Sequence, residues 1–153
     1  MTVPISVAFV CVQNAGRSQM AAALADRERH DRAMADSVEI HHGGTDPADH
    51  VHEVVVEVMA ELGFDLSKEQ PRSIPRDELL DMAIVVTMGC SAEDVCPTTW
   101  RGDSRDWGLD DPHGRPLEEV RTIRDEIAER VAELFDELQA NTGGDRHLRE
   151  QSG

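Results

Sequence analysis

The chain has 153 residues, 39% of them hydrophobic and 30% charged, which suits one domain with a substantial core. Acidic residues outnumber basic residues by 31 to 15, the net charge is −16, and Lys68 is the only lysine. Such a surface repels nucleic acids and anionic membranes. It is typical of an ordinary acidic protein or of one adapted to a high-salt cytoplasm, and the shortage of lysine favours adaptation to salt.

The apolar runs are all too short to cross a membrane, which takes about 18 residues. No basic segment precedes the first apolar run, so the start does not resemble a signal peptide. The three cysteines, Cys11, Cys90 and Cys96, are too few for a disulfide framework and lack a nearby fourth ligand for structural zinc. We therefore expect a cytoplasmic monomer without a metal or a resident cofactor.

Four segments have the composition of buried or partly buried strands. Residues 5–10 are apolar and β-branched, and residues 38–44 form a second run that ends in two glycines. Residues 83–88 are the strongest strand candidate after the first, and a short strand is predicted within 106–112.

Helices are predicted between and after these strands. Ser18 is a candidate cap for a helix that runs to about residue 32. Apolar residues at helical spacing predict a helix over 51–62, with Gly63 as its stop. A short helix is expected at 76–82, and a long amphipathic helix at 117–138.

Strands that alternate with helices predict an α/β fold, a Rossmann-like three-layer sandwich around a four-stranded parallel sheet. We expect one domain over 1–140 and a disordered tail over 141–153, where the sequence is polar and aperiodic. Ligands of such sheets bind beyond the carboxyl ends of the strands. Cys11, Cys90 and the Asp110–Asp111 pair each follow a predicted strand, so the sequence predicts that they share one edge.

The segment 11–18, CVQNAGRS, joins the first strand to the first helix. Backbone N–H groups in such a turn form an anion-binding nest, and the helix adds its positive N-terminal end. Arg17 is suited to bind two oxygens of an oxyanion at once. Asn14 and Gly16 are residue types that tolerate a positive φ angle.

A thiol beneath this nest is favoured as a thiolate, and Ser18 is placed to donate a hydrogen bond to its sulfur. A thiolate beneath a tetrahedral oxyanion is arranged for attack at phosphorus or arsenic. The alternatives are a buried structural cysteine with Arg17 on the surface, or a noncatalytic oxyanion sensor. Cys90 and Cys96 are either inert core residues or redox-active thiols, and their position at the predicted site edge favours a redox role.

A histidine-rich stretch is a weaker candidate for a metal site. Four histidines lie close to three carboxylates in sequence, but this composition is more typical of a polar strand end and helix start. These residues are His41, His42, His50 and His52, with Asp46, Asp49 and Glu53.

The stretch CVQNAGRSQMA resembles the phosphate-binding loop of the low-molecular-weight protein tyrosine phosphatases. The later segments VTMGC and DWGLDDP are similar to the arsenate reductase branch of that family, and the resemblance covers roughly residues 4 to 138. It implies that Cys11 is the nucleophile, that Arg17 binds the oxyanion, and that Asp111 before Pro112 is the general acid. The substrate-binding loop that it implies comprises Val12, Gln13, Asn14, Ala15, Gly16, Arg17 and Ser18.

The resemblance also implies that Cys90 and Cys96 relay a disulfide to a reductant, which is thioredoxin, glutaredoxin or a small thiol. The expected activity is reduction of arsenate to arsenite, and the alternative is a phosphatase that forms a phosphocysteine. Three departures from the family patterns bear on this choice. Ala15-Gly16 replaces the Ser-Cys of thioredoxin-coupled reductases, and the spacing of Cys90 and Cys96 is one residue shorter. Asp111-Pro112-His113-Gly114 replaces the Asp-Pro-Tyr-Tyr of the phosphatases, in a chain without tyrosine.

Overall fold

The computed structural model describes residues 4–89, 100 and 102–152, and for 141–152 the backbone alone. Cys90 and Cys96 lie outside the described residues.

Four parallel strands form one sheet in the order β2-β1-β3-β4. They are β1 (Ile5–Cys11), β2 (Val38–Gly44), β3 (Ile84–Met88) and β4 (Asp103–Asp106). This arrangement confirms the predicted α/β class and the parallel sheet.

The fourth strand lies earlier than the sequence indicated. The prediction rested on Trp107 and Leu109, which are buried but belong to the loop after β4. The Trp107 ring packs 5.8 Å from that of Phe9 on β1. The polar residues of Asp103–Asp106 pair only with β3, at the sheet edge, so their composition carries no strand signal.

The helices are α1 (Arg17–Asp31), α2 (Glu53–Ala60), α3 (Arg76–Leu80) and α4 (Leu117–Ser152). Val7, Phe9 and Cys11 on β1 face the main core, which α1, α2 and α4 cover. The alternate residues Ala8 and Val10 face a smaller core that includes Leu79 of α3. The sheet is therefore covered on both faces, as predicted.

The structure corrects one predicted helix end and confirms another. Ser18 does not cap α1, because the helix begins at Arg17 with Gly16 in the cap position and no side-chain capping bond. Gly63 does follow α2 with a φ angle of 90°, as its role as a stop requires. The last helix continues to Ser152, beyond the end of the apolar pattern at Leu138. The predicted boundary between a domain over 1–140 and a tail over 141–153 stays a prediction.

Candidate active site

Cys11 ends β1, with Gly44 of β2 on one side and Met88 of β3 on the other. Its side chain is 3% exposed and lies at the base of a cavity of about 260 Å³. The residues that line this cavity come from the loop after β1, the start of α2, the end of β3 and the loop after β4: Cys11, Val12, Gln13, Ala15, Gly16, Arg17, His52, Gly89 and Asp111.

The backbone of the loop is held from behind by residues 45–52. The carbonyls of Cys11, Val12, Gln13 and Ala15 accept hydrogen bonds from the backbone N–H groups of Thr45, Asp46, Ala48 and His52, at 2.7 to 3.2 Å. In a trans peptide the C=O and the following N–H point in opposite directions. The N–H groups that follow these carbonyls are therefore turned away from the supporting segment, as the predicted anion nest requires.

The sulfur of Cys11 has two polar neighbours within this nest. The backbone N–H of Asn14 donates to it at 3.2 Å, and Ser18 Oγ lies 2.9 Å away. Asn14 has a φ angle of 51°, in the conformation that the sequence predicted. The predicted contact between Ser18 and the sulfur is also present.

The prediction for Gly16 is wrong. Its φ angle is −141°, which any residue adopts. Glycine is required there for space, because a Cβ atom would lie 2.9 Å from Cγ of Pro112. The close approach brings the loop that carries Asp111 against the anion nest.

The orientation of the Asn14 amide leaves the Ser18 hydroxyl available as a donor to Cys11. Asn14 Oδ1 accepts from the backbone N–H of Arg72 at 3.0 Å, so the other end of the amide is the NH₂ group. That group donates to Ser18 Oγ at 2.7 Å. Because Ser18 Oγ accepts this bond, its own proton is free to point at the sulfur of Cys11. The sulfur thus has the Asn14 N–H as one donor and the Ser18 hydroxyl available as a second.

A cluster of charged side chains, Arg72, Glu78 and His41, lies beneath Asn14. Arg72 binds both carboxylate oxygens of Glu78, at 2.7 and 3.1 Å, and His41 contacts the same carboxylate at 2.8 Å. The bonds from Arg72 and, to a smaller extent, from His41 lower the pKa of Glu78 to about 2. His42 Nδ1 lies 3.2 Å from Asn14 Oδ1, and burial, reinforced by Arg72, lowers the pKa of His42.

Arg17 is held by two parts of the molecule. Its Nη1 donates to the carbonyl oxygen of Leu109 at 2.8 Å, which ties the guanidinium to the loop after β4. On the other side, a Cβ atom on Gly89 would lie 2.6 Å from Nη2 of Arg17. Gly89 also has a φ angle of 82°, so glycine is required there for both space and conformation.

Asp111 lies on the rim of the cavity, whereas Asp110 is not among the residues that line it. The backbone N–H of His113 donates to Asp111 Oδ1 at 3.0 Å, and Arg115 Nε donates to the Asp111 carbonyl at 2.7 Å. These bonds fix the turn that follows the carboxylate. The structure therefore brings Cys11, Arg17 and Asp111 together at one cavity, although 94 positions separate Arg17 from Asp111.

His52 is a cavity residue that sequence reasoning considered only as part of a metal site. It precedes α2, and its ring stacks obliquely on His113, with centroids 4.8 Å apart. Burial, and then the nearby His113, lower the pKa of His52, while Asp111 opposes the shift. The only available sequence signal was the position of a histidine at a helix start, and that signal does not specify the cavity.

Three of the four histidines of that stretch contact separate partners. His41 binds Glu78, His42 contacts Asn14, and His52 stacks on His113. Within 4–89, 100 and 102–152, no group of three or more His, Cys, Asp or Glu side chains is arranged to hold a metal. Among the same residues, every helix is too short or too polar for a transmembrane segment.

Comparisons with known proteins agree with this geometry. A Halobacterium salinarum protein named "Putative arsenate reductase" is 61% identical over 130 residues, or 85% of this chain and 90% of that protein. The thioredoxin-dependent arsenate reductase of Corynebacterium glutamicum superposes with a TM-score of 0.74 at 34% identity, over 92% of this chain and 65% of that one. This chain thus spans slightly less than two thirds of the Corynebacterium protein.

A second solved structure, an arsenate reductase in the phosphate-binding state, has a TM-score of 0.73 at 29% identity and covers 87% of this chain and 98% of that one. The family model described as low molecular weight phosphotyrosine protein phosphatase matches residues 6–143. This match covers most of the chain and includes the loop 11–18. The chain belongs to the low molecular weight phosphotyrosine protein phosphatase family.

Proposed function

We propose that this protein is an arsenate reductase, which converts arsenate to arsenite through Cys11. The observation that carries the proposal is the sulfur of Cys11 beneath a nest of backbone N–H groups, with the Asn14 N–H and Ser18 Oγ on the sulfur and Arg17 at the same cavity. The similarity to proteins named as arsenate reductases supports arsenic as the atom attacked.

In the first step the tetrahedral arsenate lies in the nest, with its oxygens on the loop N–H groups and on the Arg17 guanidinium. The Cys11 thiolate attacks arsenic and forms an S–As bond. One arsenate oxygen leaves as water after it receives a proton, for which Asp111 on the cavity rim is the donor. Arsenic remains As(V) at this stage.

In the second step another thiolate attacks the Cys11 sulfur. An S–S bond forms, the S–As bond breaks, and its electron pair stays on arsenic, which leaves as As(III) in arsenite. The two thiols are oxidised together to one disulfide, so the electrons balance. We assign the attacking thiol to Cys90, with Cys96 then capturing Cys90, and thioredoxin, glutaredoxin or a small thiol restoring the enzyme.

The same nest would support hydrolysis of phosphate monoesters, which makes a phosphatase the alternative. The described lining of the cavity contains no phenylalanine, tyrosine or tryptophan, and the chain has no tyrosine. Flat apolar walls are what a phenyl ring needs for tight binding. The composition of the cavity therefore favours a small inorganic oxyanion over phosphotyrosine.

Two assays on the same preparation separate these functions. We expect arsenate-dependent consumption of thiol, with slow or undetectable hydrolysis of an aryl phosphate. Rapid aryl phosphate hydrolysis without arsenate-dependent thiol consumption would replace the reductase proposal by the phosphatase one.

The internal relay has its own test. After one equivalent of arsenate, mass spectrometry of the alkylated protein should show a Cys90–Cys96 disulfide. The Cys96→Ser variant should instead accumulate a Cys11–Cys90 disulfide. If all three thiols stay alkylatable after turnover with a small thiol, an external thiol attacks Cys11 directly and the relay is wrong.

A further inference from the structure

We propose that His52 is an oxyanion-binding residue that takes up a proton when a dianion enters the cavity, and that His113 tunes this uptake. The proposal rests on the oxyanion nest of the proposed function but not on the redox step. It concerns arsenate, phosphate and sulfate alike, because the group recognised is a tetrahedral dianion.

The position of His52 is the first support. Its backbone N–H donates to the Ala15 carbonyl at 2.9 Å, so the residue is fixed directly behind the nest. A Cβ atom built on Gly16 would lie 3.5 Å from Cδ2 of the His52 ring, which places that ring against the loop. The ring lines the same cavity as Cys11 and Arg17.

The charge around His52 is the second support. Three titratable or charged groups share its cavity: the Cys11 sulfur, the Arg17 guanidinium and the Asp111 carboxylate. His113 stacks on it at 4.8 Å, and Glu53 follows it at the start of α2. Burial and His113 hold the pKa of His52 below its ordinary value, so the imidazole is neutral at neutral pH before an anion binds.

A dianion bound in the cavity changes which charge state of His52 is favoured. Its negative charge stabilises the imidazolium form, so binding of the anion and of a proton are linked. The added N–H donor and positive charge are useful in a protein whose net charge of −16 opposes anions. His113 acts oppositely, since a second positive charge beside His52 weakens its protonation.

Sulfate binding provides the test, because sulfate remains a dianion across the pH range in which histidines titrate. The Cys11→Ser protein serves as the parent, which removes the titrating thiol from the cavity. Affinity is measured by calorimetry from pH 8 to pH 5.5 at constant ionic strength, in two buffers of different ionisation enthalpy. The comparison adds His52→Gln, and adds His50→Gln as the matched control, since His50 is exposed and not among the described lining residues.

We expect sulfate affinity of the parent to rise as pH falls, by up to about tenfold per pH unit for one linked proton. His52→Gln should flatten this rise and abolish most of the proton uptake, with little change at pH 8. His50→Gln should follow the parent. His113→Gln should move the rise to higher pH, because a like charge next to His52 is removed.

The two proposals fail separately. If the parent binds no sulfate at any pH, the oxyanion nest is wrong, and both the proposed function and this inference fall. If sulfate binds but His52→Gln keeps the pH dependence and proton uptake of the parent, the role of His52 alone is overturned.

Discussion

Asn14 and Ser18, beneath the sulfur of Cys11, are fully buried, whereas Asp111, on the rim of the same cavity, and the nearby His113 are exposed. Each side chain of the buried pair has hydrogen bonds to the other or to its surroundings. The carboxylate of Asp111 receives one such bond, from the next turn of its own loop. Buried donors in a fixed network stabilise developing charge without reorganising, while exposed groups adjust to the bound anion.

The buried groups and the exposed groups therefore have different proposed roles. In the proposed mechanism, the buried pair and the loop backbone position the sulfur of Cys11. Asp111 on the rim and His52 behind the loop are the groups proposed to exchange protons. Substitutions in the two regions should therefore differ in their effect on rate, on pH dependence and on stability.

The largest effect is expected at the nucleophile. Cys11→Ser should lower arsenate turnover by at least about a thousandfold, because a hydroxyl in the same nest stays protonated at neutral pH. Thermal unfolding should change little, since the substituted atom is of similar size. Substantial residual turnover in a folded Cys11→Ser protein would show that another thiol carries the reaction.

Asp111→Asn should come next, with a loss of about a hundredfold or more in kcat, because the amide has no acidic proton for the leaving oxygen. The neighbouring Asp110→Asn variant is the matched control, since Asp110 is exposed and does not belong to the described lining of the cavity. Steady-state kinetics over a range of pH would check both. Equal losses in the two variants would contradict the role of Asp111 as the acid.

A smaller loss, about tenfold to a hundredfold, is expected for Gly89→Ala. The added methyl group would lie 2.6 Å from Arg17 Nη2, and displacement of the guanidinium weakens oxyanion binding. Gly63→Ala is the control, because Gly63 has a similar φ angle of 90° and open space around its Cα atom. Both variants share the backbone strain, so an equal loss of arsenate binding would show that strain, and not Arg17, is responsible.

The smallest effect concerns the cluster beneath Asn14. Glu78→Gln should lower the free energy of unfolding by about 1 kcal/mol at pH 6, because Arg72 loses a charged partner. The pKa of Glu78 is lowered from 4.5 to about 2, so its contribution is present above pH 4.5 and is lost as pH falls toward 2.

Denaturant unfolding of both proteins from pH 6 to pH 3 would measure this decline. The difference between them should shrink with acidity, and the exposed Asp77→Asn change on the same helix should give no such trend. A difference that stays constant down to pH 3 would assign the effect to packing instead of charge.

The chemistry of the loop 11–18 could be read from the sequence because it is local. The apolar run of β1, the thiol at its end, Arg17 at the start of α1 and the positive φ angle of Asn14 all depend on residues within a few positions. Elements with strong apolar periodicity, β1, β3 and α2, were also located within two or three residues for this reason. The exposed edge strand β4 has no such pattern, and its position was wrong by several residues.

Contacts between distant segments of the chain determined the remaining features of the site. Gly16 was predicted from the sequence to tolerate a positive φ angle, but the close approach of Pro112 explains why it is a glycine, and the close approach of Arg17 does the same for Gly89. Ser18 was predicted both to cap α1 and to contact the sulfur of Cys11, but it does not cap the helix, and its Oγ lies 2.9 Å from the sulfur and accepts a hydrogen bond from the Asn14 amide. The sequence by itself determined the fold class and the candidate nucleophile, since both follow from short-range pattern, and it predicted Asp111 at the same sheet edge. Only the tertiary structure placed His52 at the cavity, because the hydrogen bond from its backbone N–H to Ala15 joins segments that are far apart in the chain.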